Sequence, residues 1–200
     1  MQSQFQMLIY YKYAPDGSNI VVLYYVDDCV YWYKNEDPGK WFVDTLRKRF
    51  HVNFLGFANW FMSIRISQLK YHSISVDQAR YATSIVAKYL DTATVKAGTK
   101  FYKTTLPSDM IFTKEDVSTS DEQVESLTTE YNIHYRACIG YLIYLFSTRV
   151  ELSFAVHKLA KFSANPGKVH FEGLVHLLRY IRDNKNLGLK YYTDLNDQAY

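Results

Sequence analysis

An α+β fold is predicted for this chain, with a sheet-forming first third and a mainly helical remainder. Two runs of β-branched and aromatic residues, Ile20 to Tyr24 and Cys29 to Tyr33, flank Tyr25-Val26-Asp27-Asp28 and read as a hairpin. From Tyr131 onward the apolar residues fall at helical spacing instead. Between the two regimes, 92–129 is rich in Thr, Ser, Asp and Lys and has weak periodicity. With 200 residues and 48% hydrophobic content the chain can bury a real core, so one or two folded domains are expected.

Taken in order, Met1 to Tyr13 is a single apolar strand-like run, and Ala14-Pro15-Asp16-Gly17 reads as a turn. The two hairpin strands are apolar at nearly every position, which predicts burial on both sheet faces with only the acidic tip in water. Lys34 to Lys40 reads as a polar loop around Asp37-Pro38-Gly39, and Trp41 to Phe50 as a helix covering the sheet. Trp60 to Gln68 alternates as a strand. Lys70 to Val76 is its expected hairpin partner, with the turn near Tyr71-His72. Asp77 to Leu90 is an amphipathic helix that directs Ala79, Ile85, Val86 and Tyr89 to a core, and 92–129 follows as a long surface connection. Three helices come next: one from Tyr131, one over Leu152 to Phe162 and one over Val169 to Asn184. Asn165-Pro166-Gly167 separates the last two, and the three predict a small bundle. Gly188 to Asp194 reads as a closing strand.

The chemistry concentrates at Asp27 and Asp28. Two carboxylates about 4 Å apart repel by about 4 kcal/mol at an effective dielectric of 20, and a divalent cation with oxygen ligands relieves that. Asp is also a favoured turn residue, so the pair alone does not demand a metal. Elsewhere the residues exclude more than they assign. Cys29 and Cys138 have no paired spacing, which argues against a zinc site or a disulfide framework and for a reducing, intracellular, cytoplasmic setting. His170 and His176 lie six apart, not on one helical face, so they make no metal pair, and His157 and His176 are expected to face backbone or core. No apolar run reaches the length of a membrane span, so no membrane partner is expected. Net charge is only +3, but it is uneven: 109–130 is acidic, while Lys158, Lys161, Lys168, Arg179, Arg182, Lys185 and Lys190 cluster late.

Tyr25-Val26-Asp27-Asp28 on its hairpin resembles the palm signature of reverse transcriptases, and the later motifs resemble the copia-type long-terminal-repeat retrotransposon branch. Phe50 to Gly56 is similar to that branch's F-x-M-x-x-L-G element, Trp60 to Ile66 to its Y-F-L-G-I-E-I strand, and Ile74 to Tyr81 to its I-S-x-x-Q-x-x-Y helix. Tyr135 to Leu145 resembles Y-R-x-x-I-G-x-L-x-Y-L, and Thr148 to Val156 resembles T-R-P-D-I-x-x-A-V. Asn165-Pro166, His170 and Leu177 to Ile181 continue the likeness, which runs from about Ile20 to Tyr192.

The resemblance implies an RNA-directed DNA polymerase: Asp27 and Asp28 as catalytic Mg²⁺ (or Mn²⁺) ligands, and Tyr25, Trp60, Phe61 and Met62 as nucleic-acid contacts. The implied partners are an RNA template with its DNA primer, a deoxynucleotide, and the remainder of a retrotransposon polyprotein. It further implies a partial palm over 1–76, a thumb helix and acidic linker over 77–130, a helical thumb/connection bundle over 131–187, and the start of a ribonuclease H-like domain over 188–200 with Asp194 as its carboxylate. Ser63 stands where the family has a glycine that lets the backbone approach the primer. The family's fingers, third palm aspartate and Gln/Gly-rich helix have no match upstream of the hairpin. The chain is therefore expected to begin in mid-palm and not to extend a primer alone. The competing reading is a non-catalytic remnant of a decayed element that binds nucleic acid at most; an unrelated interaction domain would leave the order of motifs unexplained.

Overall fold

The computed structural model describes residues 8–13, 17–33, 36–69, 73–90 and 101–192. The chain forms two compact units, Met1–Met62 and Ser63–Tyr200. In the first, strands β1 (Ile9–Tyr13), β2 (Asn19–Tyr25) and β3 (Asp28–Tyr33) make an antiparallel sheet in the order β1-β2-β3. Ile20 lies opposite Tyr33 and Leu23 opposite Val30 in the β2–β3 ladder. Helix α1 (Glu36–Arg47) packs on one face of this sheet, where the rings of Tyr31 and Phe42 meet at 5.3 Å. Gly39 lets the helix approach, because a Cβ there would stand 2.9 Å from the Tyr33 ring. Lys12 reaches over Trp41 at 3.8 Å on the same face.

Two expectations are corrected in this unit. The hairpin is not buried on both faces: Ile20 and Val30 are buried, whereas Tyr24, Tyr25, Trp32 and Tyr33 are 43–48% exposed. Only one face carries a helix, and successive side chains alternate between faces. Tyrosine and tryptophan tolerate this position because each presents an apolar body with a polar tip. Helix α1 also begins earlier than the turn-like Asp37-Pro38-Gly39 suggested, and it ends at Arg47 rather than Phe50. Proline lacks only an N–H that has no intrahelical partner in the first turn, so it does not stop a helix there.

Where one strand over Trp60 to Gln68 was expected, the chain makes β4 (Trp60–Phe61) and β5 (Ile64–Gln68), interrupted by positive φ at Met62 (49°) and Ser63 (60°). Within the second unit β5 pairs antiparallel with β6 (Ile74–Asp77), and β6 with β7 (Gly188–Tyr191). The expected turn at Tyr71-His72 lies outside the described residues. Asp77 ends β6 instead of opening the next helix. Its buried carboxylate accepts from Arg65 Nε at 2.8 Å and from the Ala79 N–H at 3.1 Å, the latter at the start of helix α2 (Ala79–Leu90). Helices α4 (Tyr135–Leu145), α5 (Ser153–Ala160) and α6 (Lys168–Asp183) follow the predicted order and enclose the main core with α2. Helix α6 lies at its centre, with Phe171, Leu174, Leu177, Leu178 and Ile181 fully buried.

The stretch expected as a surface connection is largely structured. Residues 101–118 run as a strap along α6. The Tyr102 N–H donates to Asp183 Oδ2 at 2.8 Å, Asn184 Nδ2 donates to the Tyr102 carbonyl at 3.0 Å, and His176 Nε2 bonds the Thr104 carbonyl at 3.0 Å. Further on, Ser118 Oγ donates to the Pro166 carbonyl at 2.8 Å, and the backbone of Asp116 lies so close to Gly167 that any Cβ there would overlap the Asp116 carbonyl oxygen. Next comes helix α3 (Asp121–Tyr131), capped by Ser120 at its start and by left-handed Asn132 at its end. Weak hydrophobic periodicity hid both features: the strap is fixed chiefly by hydrogen bonds, and α3 has no fully buried residue.

Candidate metal centre

The β2–β3 ladder ends on the pair Tyr25 and Asp28, so Val26-Asp27 forms a two-residue loop, the shortest hairpin connection. Val26 has φ 51°, the pattern of a loop whose first position suits glycine, and a β-branched residue held there is strained. The loop sets Asp27 and Asp28 side by side in sequence at the tip, both exposed. Together they border a cavity of about 450 Å³ whose walls are Cys29, Tyr31, Phe42, Leu46 and the 51–56 stretch. Burial pushes the Cys29 thiol up, which keeps it protonated and a poor ligand or nucleophile beside the carboxylates.

Two exposed carboxylates fit a hard cation such as Mg²⁺, which keeps several waters and is bound through one or two carboxylates plus substrate phosphates. Among the described residues no group of three or more His, Cys, Asp or Glu side chains is placed to hold a metal together. His51 and Asn53 share the cavity walls with the aspartates. Sequence reading placed 50–56 only by its order in the motif series, and nothing in residue pattern showed that it faces the tip.

The other anticipated contacts are more scattered. Tyr25 is 43% exposed and pairs with Asp28, whereas Trp60, Phe61 and Met62 stand apart from the cavity walls. Asp194 lies outside the described residues. Several cations of the late cluster have internal roles. Lys158 Nζ donates to the Met110 carbonyl at 3.5 Å and lies 5.3 Å from the Phe112 ring centre. Arg179 donates to Tyr102 Oη at 2.9 Å, and Arg182 pairs with Asp183 at 2.7 Å. Lys161, Lys168, Lys185 and Lys190 remain exposed. The histidines of the second unit are structural in their contacts. His170 Nδ1 accepts from the Gly167 N–H at 2.9 Å between the rings of Phe162 and Phe112, and His157 Nδ1 bonds the Ser153 carbonyl at 2.8 Å. No helix among the described residues is long and apolar enough to cross a membrane.

No family model and no solved structure matches this chain. It is similar to the retrovirus-related Pol polyprotein from transposon TNT 1-94 of Nicotiana tabacum, 26% identical over 176 residues and 87% of this chain. It is also similar to those from transposons RE1 and RE2 of Arabidopsis thaliana, 28% identical over 86% and 26% identical over 86% of this chain. The homologues are thus Pol polyproteins of plant transposons. The chain spans only 13% of the first of these relatives and 11% of each of the others.

Proposed function

We propose that this chain is part of a retrotransposon RNA-directed DNA polymerase, contributing the palm hairpin and a helical thumb/connection module, with Asp27 and Asp28 as ligands of Mg²⁺ or Mn²⁺. One observation carries the reading: two adjacent exposed carboxylates at a two-residue hairpin loop open onto a cavity, in a chain whose homologues are transposon Pol polyproteins. When bound, the ion neutralises triphosphate charge and favours attack by the primer 3′ hydroxyl.

The residues of this chain have the task of holding and orienting. The ladder pair Tyr25–Asp28 fixes the start of β3, so the carboxylate of Asp28 is presented from a strand rather than from a free loop. Exposure of both carboxylates leaves the remaining positions of an octahedral ion open to water and phosphate oxygens. Tyr25 offers an aromatic face beside the tip, and Trp60, Phe61 and Met62 provide apolar contacts to a primer strand in this reading.

Calorimetric titration with Mg²⁺ tests it. Weak binding is expected, lost in Asp27→Asn and retained in Asp121→Asn on the exposed face of α3. Undiminished binding in Asp27→Asn would overturn the reading.

A further inference from the structure

Arg149 is 1% exposed, yet its guanidinium is only partly satisfied. Nε donates to Glu151 Oε1 at 2.5 Å, while Nη1 and Nη2 are buried and no acceptor among the described residues reaches either. The neighbouring Thr148 is buried too, and its hydroxyl donates to Gln78 Oε1 at 2.8 Å. This brings the Gln78 amide, itself 1% exposed, to the residue beside Arg149, and its Nε2 is a second buried donor with no acceptor. The place in the fold adds to the imbalance. Arg149 precedes the short 3-10 turn Val150–Leu152, which runs into α5, and the start of α5 has no side-chain cap. Aligned peptide dipoles make a helix start positive, the unfavourable end for a cation. The face of Tyr180 lies 5.9 Å from the guanidinium carbon and offers attraction but no in-plane acceptor.

Every unfilled hydrogen-bonding position at this corner is therefore a donor, and the local charge is positive. We propose that Arg149 and Gln78 form a buried binding site for a small monovalent anion, chloride as the representative ligand, at the junction of α2 with the start of α5. An unpaired buried charge is costly, and an anion that accepts from several N–H groups at once removes the cost without a further protein carboxylate. The near-complete burial of both side chains limits the ligand to halide size and excludes a phosphate group of a nucleic acid. This site is independent of the aspartate tip.

Thermal unfolding of the chain, followed by far-ultraviolet circular dichroism, is compared in sodium chloride and in sodium methanesulfonate at equal ionic strength. The anion site predicts a midpoint about 2–4 °C higher in chloride, the size expected for a chain of this length when the ligand is in several-fold excess over its dissociation constant. Gln78→Met and Arg149→Met remove the difference. If Arg149→Met does not fold, Gln78→Met alone carries the comparison. Crystals grown in bromide place an anomalous peak between the guanidinium and the Gln78 amide. Equal midpoints for the unmodified chain in the two salts, a difference that persists in Gln78→Met, or ordered water with no anomalous signal at that position would each overturn the proposal.

Discussion

Val26 holds a left-handed conformation at the hairpin tip, φ 51°, that a β-branched residue adopts only under constraint. Its side chain is 65% exposed, so little packing is lost on removing it. Val26→Gly should stabilise the first unit by about 0.5–1 kcal/mol, because glycine takes this φ without a Cβ penalty. Denaturation followed by tryptophan fluorescence reads that unit alone, since Trp32, Trp41 and Trp60 are all in it; a lowered midpoint would contradict the strain. His170 makes the opposite kind of point. It is fully buried between aromatic rings, and desolvation holds its imidazole below the ordinary histidine value despite the nearby Asp116. The unfolded chain then binds the proton more readily than the folded one, so stability is complete above the unfolded value of about 6.5 and declines as pH falls below it. His170→Gln keeps an acceptor for the Gly167 N–H but has no proton to bind, and its denaturation midpoint should vary less between pH 7 and 5 than that of the parent chain. Equal dependence in both would remove His170 as the cause. The sequence showed the carboxylate pair but neither of these states, because a backbone angle and an aromatic cage are properties of the assembled neighbourhood.

Helix α3 is the least buried helix of the second unit, with no fully buried residue, whereas α6 buries a continuous apolar face. Amide hydrogen exchange should be fast in α3 and slow in α6, and limited proteolysis should cut within 119–132 before it cuts the strap at 101–118. Protection of α3 equal to that of α6 would show that it is held by more than its caps and flanking contacts. Sequence periodicity was enough for α2, α4, α5 and α6, whose buried faces repeat at helical spacing. It failed for the strap, which is fixed by Tyr102, Thr104 and Ser118 through backbone hydrogen bonds that leave no hydrophobic pattern. The same limit moved the start of α1: Asp37-Pro38-Gly39 has turn composition, and only its docking on Tyr33 shows the segment to be helical.

Across the whole molecule, the basic late segment looks stronger in sequence than it is in space. Lys158, Arg179 and Arg182 have internal partners, and Lys161, Lys168, Lys185 and Lys190 are left exposed. If these four carry phosphate contacts, the affinity for single-stranded nucleic acid should fall with salt with a log–log slope of about −3 or shallower. A much steeper slope would mean that cations elsewhere in the chain bind, and no slope would exclude phosphate contacts. The central claim rests on the acidic tip instead: Asp27 and Asp28 form one cation site. Anomalous diffraction from crystals soaked in Mn²⁺ tests it most directly. A peak within coordination distance of both carboxylates, absent in Asp27→Asn crystals, is the predicted result. A tip with no peak at millimolar Mn²⁺, or a peak that survives the substitution unchanged, would contradict it.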